Sequence, residues 1–180
     1  MSDRSWISSS LPYVTPQAAG AADAWTQEAA AGGRRGGQRV LYAGEEPAPP
    51  AAAALLGLEP GTLVVVRRRL IELDGEPVEL TDTHYPAEIA AGTALAATAK
   101  IRGGAVTLLA ALGHRPARIV EEVTARLPDP TEQALLALSA TDPVLLISRT
   151  THGPDGRPYQ ADLMTMPAHR QRLRYETTIG

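Results

Sequence analysis

The chain has 180 residues, 44% of them apolar and 21% charged, with no cysteine and no phenylalanine. Its length suits one domain with an attached segment, and the lack of cysteine excludes disulfides, a thiolate nucleophile and a Cys-based zinc site. The net charge of −3 and the pI of about 5.8 argue against binding of nucleic acid through this chain alone. Because the sequence has neither a transmembrane-length apolar run nor a signal-peptide pattern, we expect a soluble, cytoplasmic protein without membrane contact.

Residues 1–37 are predicted to be a linker or N-terminal segment outside the main domain. Serine, proline and glycine are frequent there, and these residues interrupt helices and strands. One short helix is expected at residues 18–31. Trp6 and Trp25 either attach this segment to the domain or are isolated aromatic residues in a mobile tail, and the sequence leaves both alternatives open.

Residues 38–180 are predicted to form one domain that is rich in β-strands. Proline at helix starts, glycine at helix ends and Asp-Gly at hairpin turns indicate the boundaries. The predicted helices are residues 49–57, 104–112 and 130–139. The predicted strands are residues 40–42, 62–73, 77–85, 117–127, 143–151, 159–166 and 173–177, with hairpin turns at Asp74-Gly75 and Asp155-Gly156.

An internal repeat relates two parts of this domain. At an offset of 81, residues 38–86 align without a gap with residues 119–167, and nine positions are identical where about three are expected by chance. The matches are mostly at helix starts, turns and strand ends, although convergent hairpin signals would also produce some of them. The repeat predicts an α+β fold: two pseudo-symmetric halves, a largely antiparallel sheet with helices, and a ligand-binding cleft between the halves.

The sequence carries no recognisable catalytic or metal-binding pattern. The four histidines are not at metal-ligand spacing, and neither a nucleophile elbow nor a phosphate-binding loop occurs. Glu121 and Glu122 are adjacent in a strand and are expected on opposite faces. We therefore expect no catalytic residue, no metal and no cofactor, and a protein that is not an enzyme.

Alternation along the predicted strands groups the candidate ligand-binding residues. One face of the first hairpin carries Glu79, Thr81, Thr83 and Tyr85, and its repeat equivalents are Gln160, Asp162, Met164 and Met166. On the partner strands, the offset of 81 matches Arg67, Arg69 and Ile71 with Ser148, Thr150 and His152. Alternation alone leaves open whether these faces line the cleft or meet solvent.

A second candidate is the start of the helix at residues 104–112. Arg102 and two glycines, Gly103 and Gly104, precede it, and a helix N-terminus with nearby cations favours anions. A flexible loop with solvated charge is the alternative interpretation of the same residues.

The order and spacing of several motifs resemble the UTRA domain of the HutC subfamily of GntR transcription regulators. The motifs are Leu56-Gly57-Leu58-Glu59-Pro60-Gly61-Thr62, Val64-Val65-Val66-Arg67-Arg68-Arg69, Asp74-Gly75-Glu76-Pro77, Tyr85-Pro86, Pro143-Val144-Leu145, Asp155-Gly156-Arg157-Pro158 and Arg172-Leu173-Arg174-Tyr175. The resemblance covers residues 38–178 and implies a chorismate lyase-like fold. It also implies a homodimer that senses a small-molecule effector, with operator DNA bound by a winged helix-turn-helix domain that these 180 residues lack.

Several alternatives remain open at this point, and one of them is a pure dimerisation module with a closed cleft. The chain is either one part of a longer regulator or a stand-alone sensor. The rival function is a chorismate lyase-like enzyme that acts on a small carboxylated substrate.

The resemblance also suggests site residues. Family members that bind phosphosugars use an arginine pair in the first long strand, and Arg69 matches the first of the pair. Ile71, Gly104, Gln160 and Met166 stand where such members have the second arginine, a helix-start hydroxyl, an acid and a tyrosine. These departures imply a mainly apolar effector with one anionic or strongly polar end. The predicted ligand-binding residues are Arg69, Thr83, Tyr85, Arg102, Gly104, Gln160, Met164 and Met166.

Overall fold

A computed structural model describes residues 6–8, 10–17 and 21–176. In chain order its elements are β1 (Trp6–Ser8), α1 (Leu11–Val14), α2 (Ala24–Ala31), β2 (Gly36–Pro47), α3 (Pro50–Leu56), β3 (Leu63–Leu73), β4 (Glu76–Pro86), α4 (Ala87–Ala90), a 3-10 helix (Ala94–Ala96), α5 (Gly104–Ala111), β5 (Arg118–Arg126), α6 (Pro130–Leu136), β6 (Val144–His152), β7 (Pro158–Pro167) and β8 (Gln171–Leu173). Among the described residues, none of the helices is both long and apolar enough to cross a membrane.

Most predicted elements are confirmed, and three differ. The strand predicted at residues 40–42 is the longer β2 at Gly36–Pro47, which pairs along the whole of β3 and begins within the predicted linker of residues 1–37. The helix predicted at residues 18–31 is seen as α2, which begins after its N-cap Asp23, while residues 18–20 lie outside the described residues. The last strand, predicted at residues 173–177, is instead β8 at Gln171–Leu173, because its pairing partner is the N-terminal strand β1. The prediction for residue 177 lies outside the described residues.

The main sheet has six strands in the order β2-β3-β4-β7-β6-β5, and each neighbouring pair is antiparallel. The predicted α+β fold is therefore confirmed. Each half contributes strand, helix, strand and strand in the same order, and the halves meet where β4 pairs with β7. The predicted pseudo-symmetry of element order is confirmed as well.

The predicted offset of 81, however, is wrong for part of the repeat. Helices α3 and α6 begin at Pro50 and Pro130, and the residues that follow them in the left-handed conformation are Gly57 and Ala137, so both pairs are 80 apart. In the hairpins, Val64 pairs with Pro86 whereas Val144 pairs with Pro167. The second hairpin thus contains one additional residue, and the returning strands β4 and β7 correspond at 81. Residues 38–40, before the bulge in β2, also correspond to residues 119–121 of β5 at 81.

This one-residue difference changes which side chains are equivalent. A shift of one residue moves every side chain of a strand to the other face. Arg149 therefore corresponds to Arg69 and not to Arg68. The predicted matches of Arg67, Arg69 and Ile71 with Ser148, Thr150 and His152 are wrong for the same reason.

The two faces of the sheet bury different elements. On one face, α3 packs on β7 and α6 on β4, so the helix of each half covers a strand of the other. Leu56 and Leu136 are the equivalent buried residues of these helices. Helix α6 begins with a capping box between Asp129 and Glu132, which satisfies free N–H groups of its first turn. This face is filled by helices, and the cavity described below lies on the other face.

The N-terminal segment packs against the domain through its two tryptophans. Trp25 is 7% exposed and contacts Ile71, Leu73 and Val78 of the sheet. Its indole N–H lies 3.1 Å from the carbonyl oxygens of both Gly37 and Glu72. The Trp6 ring meets the Trp25 ring edge to face at 5.5 Å. The structure therefore supports attachment, the first of the two alternatives for these tryptophans.

Candidate functional site

A cavity of about 500 Å³ lies between the second face of the sheet, the N-terminal segment with α2, and the start of α5. This volume is within the range of small-molecule sites, which is about 300–1,000 Å³. Both halves of the repeat line it. The sheet residues in its wall include Arg67, Arg69, Ile71, Glu79, Thr81, Tyr85, Ile147, Arg149, Gln160, Asp162, Met164 and Met166.

Six of the eight predicted site residues line this cavity: Arg69, Tyr85, Gly104, Gln160, Met164 and Met166. Thr83 lies directly behind the wall, where it is buried and contacts both Arg69 and Asp162. Arg102 is exposed and is not part of the cavity wall. The structure thus brings all but Arg102 together, and their role in ligand binding stays a prediction.

Arg149 lines the cavity as well, although it is not among the predicted site residues. The arginine was missed because the offset of 81 placed it on the opposite face of β6. Its Nε donates to Glu121 at 2.6 Å and its Nη2 to the Ser10 hydroxyl at 3.1 Å. Arg149 is therefore already paired with an acid and with the N-terminal segment.

Glu79 and Asp162 are further polar residues of the wall that were not predicted as site residues. Strand alternation had placed both on the relevant faces, so the signal was present in the sequence. It was set aside because charged residues on a strand face are usually solvated. Asp162 is instead 3% exposed, and Glu79 is half-buried with its accessible surface in the cavity.

Arg67 has a structural role. Its guanidinium donates to the carbonyl oxygens of Ala94, Leu95 and Ala97, and to Ala99 at 3.3 Å. These carbonyls belong to the 3-10 helix and the loop that follows it. Since these bonds occupy its donors, Arg67 holds this loop against the sheet rather than offering a free cation to a ligand.

Arg69, Thr83, Asp162 and Gln160 form one hydrogen-bonded network at the junction of β4 and β7. Arg69 Nη2 donates to the Thr83 hydroxyl at 3.1 Å, and that hydroxyl donates to Asp162 Oδ1 at 2.7 Å. Gln160 Nε2 donates to Asp162 Oδ2 at 2.9 Å. The Arg69 Nε is buried without a partner among the described residues. Buried donors are normally satisfied, so an Nε without a partner is unusual, and the Arg69 side chain as a whole lines the cavity.

Burial affects the titration of two groups in the wall. It raises the pKa of Glu79, against the smaller effects of the hydrogen bond from Thr81 and of the nearby Arg69 and Arg149. Burial also raises the pKa of Tyr85, which the nearby Asp162 raises further. The Tyr85 phenol therefore stays protonated at neutral pH and can donate a hydrogen bond.

The raised pKa of Glu79 leads to a prediction about stability. Burial in the folded state disfavours ionised Glu79. Protonated Glu79 therefore makes its full contribution to the free energy of unfolding below the ordinary pKa of 4.5, and this contribution is lost as the pH rises through the raised pKa. We expect Glu79→Gln to raise the Tm at neutral pH by a few degrees, since about 1 kcal/mol shifts the Tm by about 2–4 °C in a protein of this size. The gain should shrink as the pH falls towards 4.5. Glu76→Gln, at an exposed position of the same strand, is the control, and equal Tm values for wild type and Glu79→Gln at every pH would contradict the prediction.

The N-terminus of α5 is less favourable for anion binding than the sequence indicates. Gly103 and Gly104 have φ values of 75° and 82°, so the backbone needs glycine there. Asp23 lies against Gly104, and its carboxylate is 3.5 Å from Lys100 Nζ. A carboxylate already beside the helix start repels a second anion.

A cavity formed by both halves of one antiparallel sheet is typical of a ligand-binding domain. Comparison with known proteins gives the same class of domain. The UTRA domain family matches residues 31–172, and the chain belongs to this family. An uncharacterised helix-turn-helix-type transcriptional regulator of Streptomyces coelicolor is 32% identical over 104 residues, which are 56% of this chain and 39% of that protein. The match thus spans less than half of the length of this curated relative.

Two crystal structures are similar over most of the chain. A GntR-family transcriptional regulator has a TM-score of 0.79 and 25% identity, covering 92% of this chain and 68% of that one. The effector domain of PhnF from Mycobacterium smegmatis has a TM-score of 0.74 and 24% identity, covering 92% of this chain and 99% of that one. The fold is therefore that of effector domains in GntR-family regulators.

Proposed function

We propose that this chain is the small-molecule effector-sensing domain of a GntR-type transcription regulator of the HutC subfamily. The observation that carries the proposal is the cavity of about 500 Å³ at the junction of the two halves, with the Arg69 side chain of β3 in its wall. Family membership and the structural relatives support the class, and the motifs from Leu56 to Tyr175 support the subfamily. A cytoplasmic location is part of the same proposal.

The test is a thermal-shift screen of the chain against a library of small metabolites. We expect a compound that raises the Tm and is recovered chemically unchanged. Recovery of a converted compound would favour the enzyme alternative, and no shift with any compound would contradict effector sensing. For a ligand so found, Arg69→Ala should weaken binding about ten- to hundredfold, because a charge-assisted hydrogen bond contributes about 1.5–3 kcal/mol.

A second cavity variant and a control accompany this test. Met166→Ala should also weaken binding, since a flexible thioether side chain would be lost from the cavity wall. Arg39→Ala should leave binding unchanged, because the Arg39 side chain is 60% exposed and pairs with Glu72 outside the cavity. If Arg69→Ala and Met166→Ala both bind like wild type, the ligand does not occupy this cavity.

We also propose that the chain forms a homodimer. Strand β5 is one edge of the main sheet, and Val120 and Val123 on it are 40% and 42% exposed. An edge strand with unpaired backbone groups is usually protected, and a second copy of the chain is the natural occupant in a family of dimers. Light scattering should give twice the chain mass at micromolar concentration, and a monomer would contradict this proposal.

DNA binding belongs to a different part of the proposed regulator. The acidic pI and net charge of −3 disfavour contact with DNA phosphates by these 180 residues. In this proposal a winged helix-turn-helix domain binds the operator, and the effector in the cavity alters that binding.

A further inference from the structure

Four charged side chains of the cavity wall form no ion pair within 4.0 Å among the described residues: Arg67, Arg69, Glu79 and Asp162. The Arg67 guanidinium is bonded to backbone carbonyls instead, which leaves Arg69, Glu79 and Asp162. Leaving a buried charge without an opposite charge is costly, and Asp162 is 3% exposed while Arg69 and Glu79 are half-buried. Such an arrangement is reasonable where a ligand supplies the missing charges.

The three groups comprise one cation and two anions in close proximity. Arg69 and Asp162 both bond to the same Thr83 hydroxyl, at 3.1 Å and 2.7 Å, so two hydrogen bonds separate the guanidinium from the carboxylate. Glu79 pairs with Ile71 across the sheet and is close enough for its pKa to respond to Arg69, Arg149 and Asp162. Arg149 acts on both carboxylates from beyond ion-pair distance, and its own ion pair is with Glu121. A ligand that contacts all three groups must therefore carry a negative and a positive group only a few bonds apart.

The chemistry of each group selects its ligand partner. A guanidinium binds carboxylates well, and the Arg69 side chain lines the cavity with a side-chain hydrogen bond at Nη2 alone among the described residues. Asp162 takes only the neutral donors Thr83 and Gln160 and, like Glu79, accepts further hydrogen bonds. A ligand with an anionic group alone would satisfy Arg69 but would be repelled by both carboxylates.

We propose that the cavity binds a small zwitterion in which an ammonium group lies within a few bonds of a carboxylate, as in an α-amino acid. The carboxylate lies at Arg69 and the ammonium at Asp162 and Glu79. The apolar remainder of the ligand contacts Ile147, Met164 and Met166, which stand in the same wall. This proposal rests on the proposed effector-sensing function, and it replaces the mainly apolar effector expected from the sequence.

The test compares ligands of one skeleton on the wild-type chain. Thermal shift identifies the amino acid that binds best, and calorimetry then compares it with its deaminated acid and its decarboxylated amine. We expect removal of either group to weaken binding about tenfold or more, because each removal leaves protein charge uncompensated. These comparisons need no variant, so they hold even if a substitution disturbs folding.

Two variants then assign the groups. Asp162→Asn should weaken binding of the amino acid about tenfold and leave binding of the deaminated acid unchanged or tighter. Arg69→Gln should weaken the amino acid and the deaminated acid but leave the decarboxylated amine unchanged. Arg39→Gln, outside the cavity, should alter none of them.

The outcomes separate this proposal from effector sensing in general. If the deaminated acid binds as tightly as the amino acid, or if the tightest metabolite is purely anionic or neutral, the zwitterion proposal is overturned while effector sensing stands. If no amino acid shifts the Tm at millimolar concentration, the zwitterion proposal fails. If no compound of any charge class does so, both proposals fail.

Discussion

Arg67→Ala should lower the free energy of unfolding by about 3–5 kcal/mol, which is a fall in Tm of about 10 °C for a protein of this size. The guanidinium of Arg67 is buried and donates to the backbone carbonyls of Ala94, Leu95, Ala97 and Ala99. Truncation leaves these acceptors without their donors and opens space beneath the loop. Unsatisfied buried polar groups cost about 1–3 kcal/mol each, and partial access of water limits the total.

Urea unfolding followed by circular dichroism measures this effect. Arg67→Lys keeps the charge but lacks the planar group that reaches several carbonyls. Its free energy of unfolding should therefore lie between those of wild type and Arg67→Ala. Arg39→Ala removes an exposed arginine paired with Glu72 and should change stability by less than about 0.5 kcal/mol. A similar small change for Arg67→Ala would show that the loop after the 3-10 helix does not depend on this side chain.

Trp25→Ala should cost about 3–5 kcal/mol, as truncation of a large buried aromatic residue usually does. The ring is 7% exposed, packs on Ile71, Leu73 and Val78, and its N–H donates to two backbone carbonyls. Because Trp25 also stands in the cavity wall, the same substitution should weaken ligand binding. Urea unfolding and ligand titration measure the two effects.

Two further variants define the cause of the lost stability. Trp25→Phe retains a ring but not the N–H, so its free energy of unfolding should fall less than that of Trp25→Ala. Tyr175→Ala removes an aromatic residue that is 61% exposed and should be nearly neutral. The experiment also tests the predicted division into a linker at 1–37 and a domain at 38–180, because wild-type stability of Trp25→Ala would mean that the segment contributes nothing to the domain.

The sequence by itself determined the fold class and most of the elements. Proline at the start of α3 and α6, Gly57 after α3 and Asp-Gly in the hairpin turns are local signals, since each restricts the backbone of a few neighbouring residues. The order of elements in the two halves followed from these signals. Strand alternation likewise grouped Gln160, Asp162, Met164 and Met166 on one face, because side chains alternate strictly along a strand.

Only the tertiary structure decided the register between the halves and the state of each charged side chain. One additional residue in the second hairpin leaves the identities at an offset of 81 nearly intact, yet it brings Arg149 to the face of Arg69. Whether an arginine is free or bonded depends on partners far along the chain: Arg67 is held by carbonyls about 30 residues away, while Arg69 meets Asp162 through Thr83. Such contacts arise from the pairing of β4 with β7 and the packing of the loop, and sequence spacing carries no record of them.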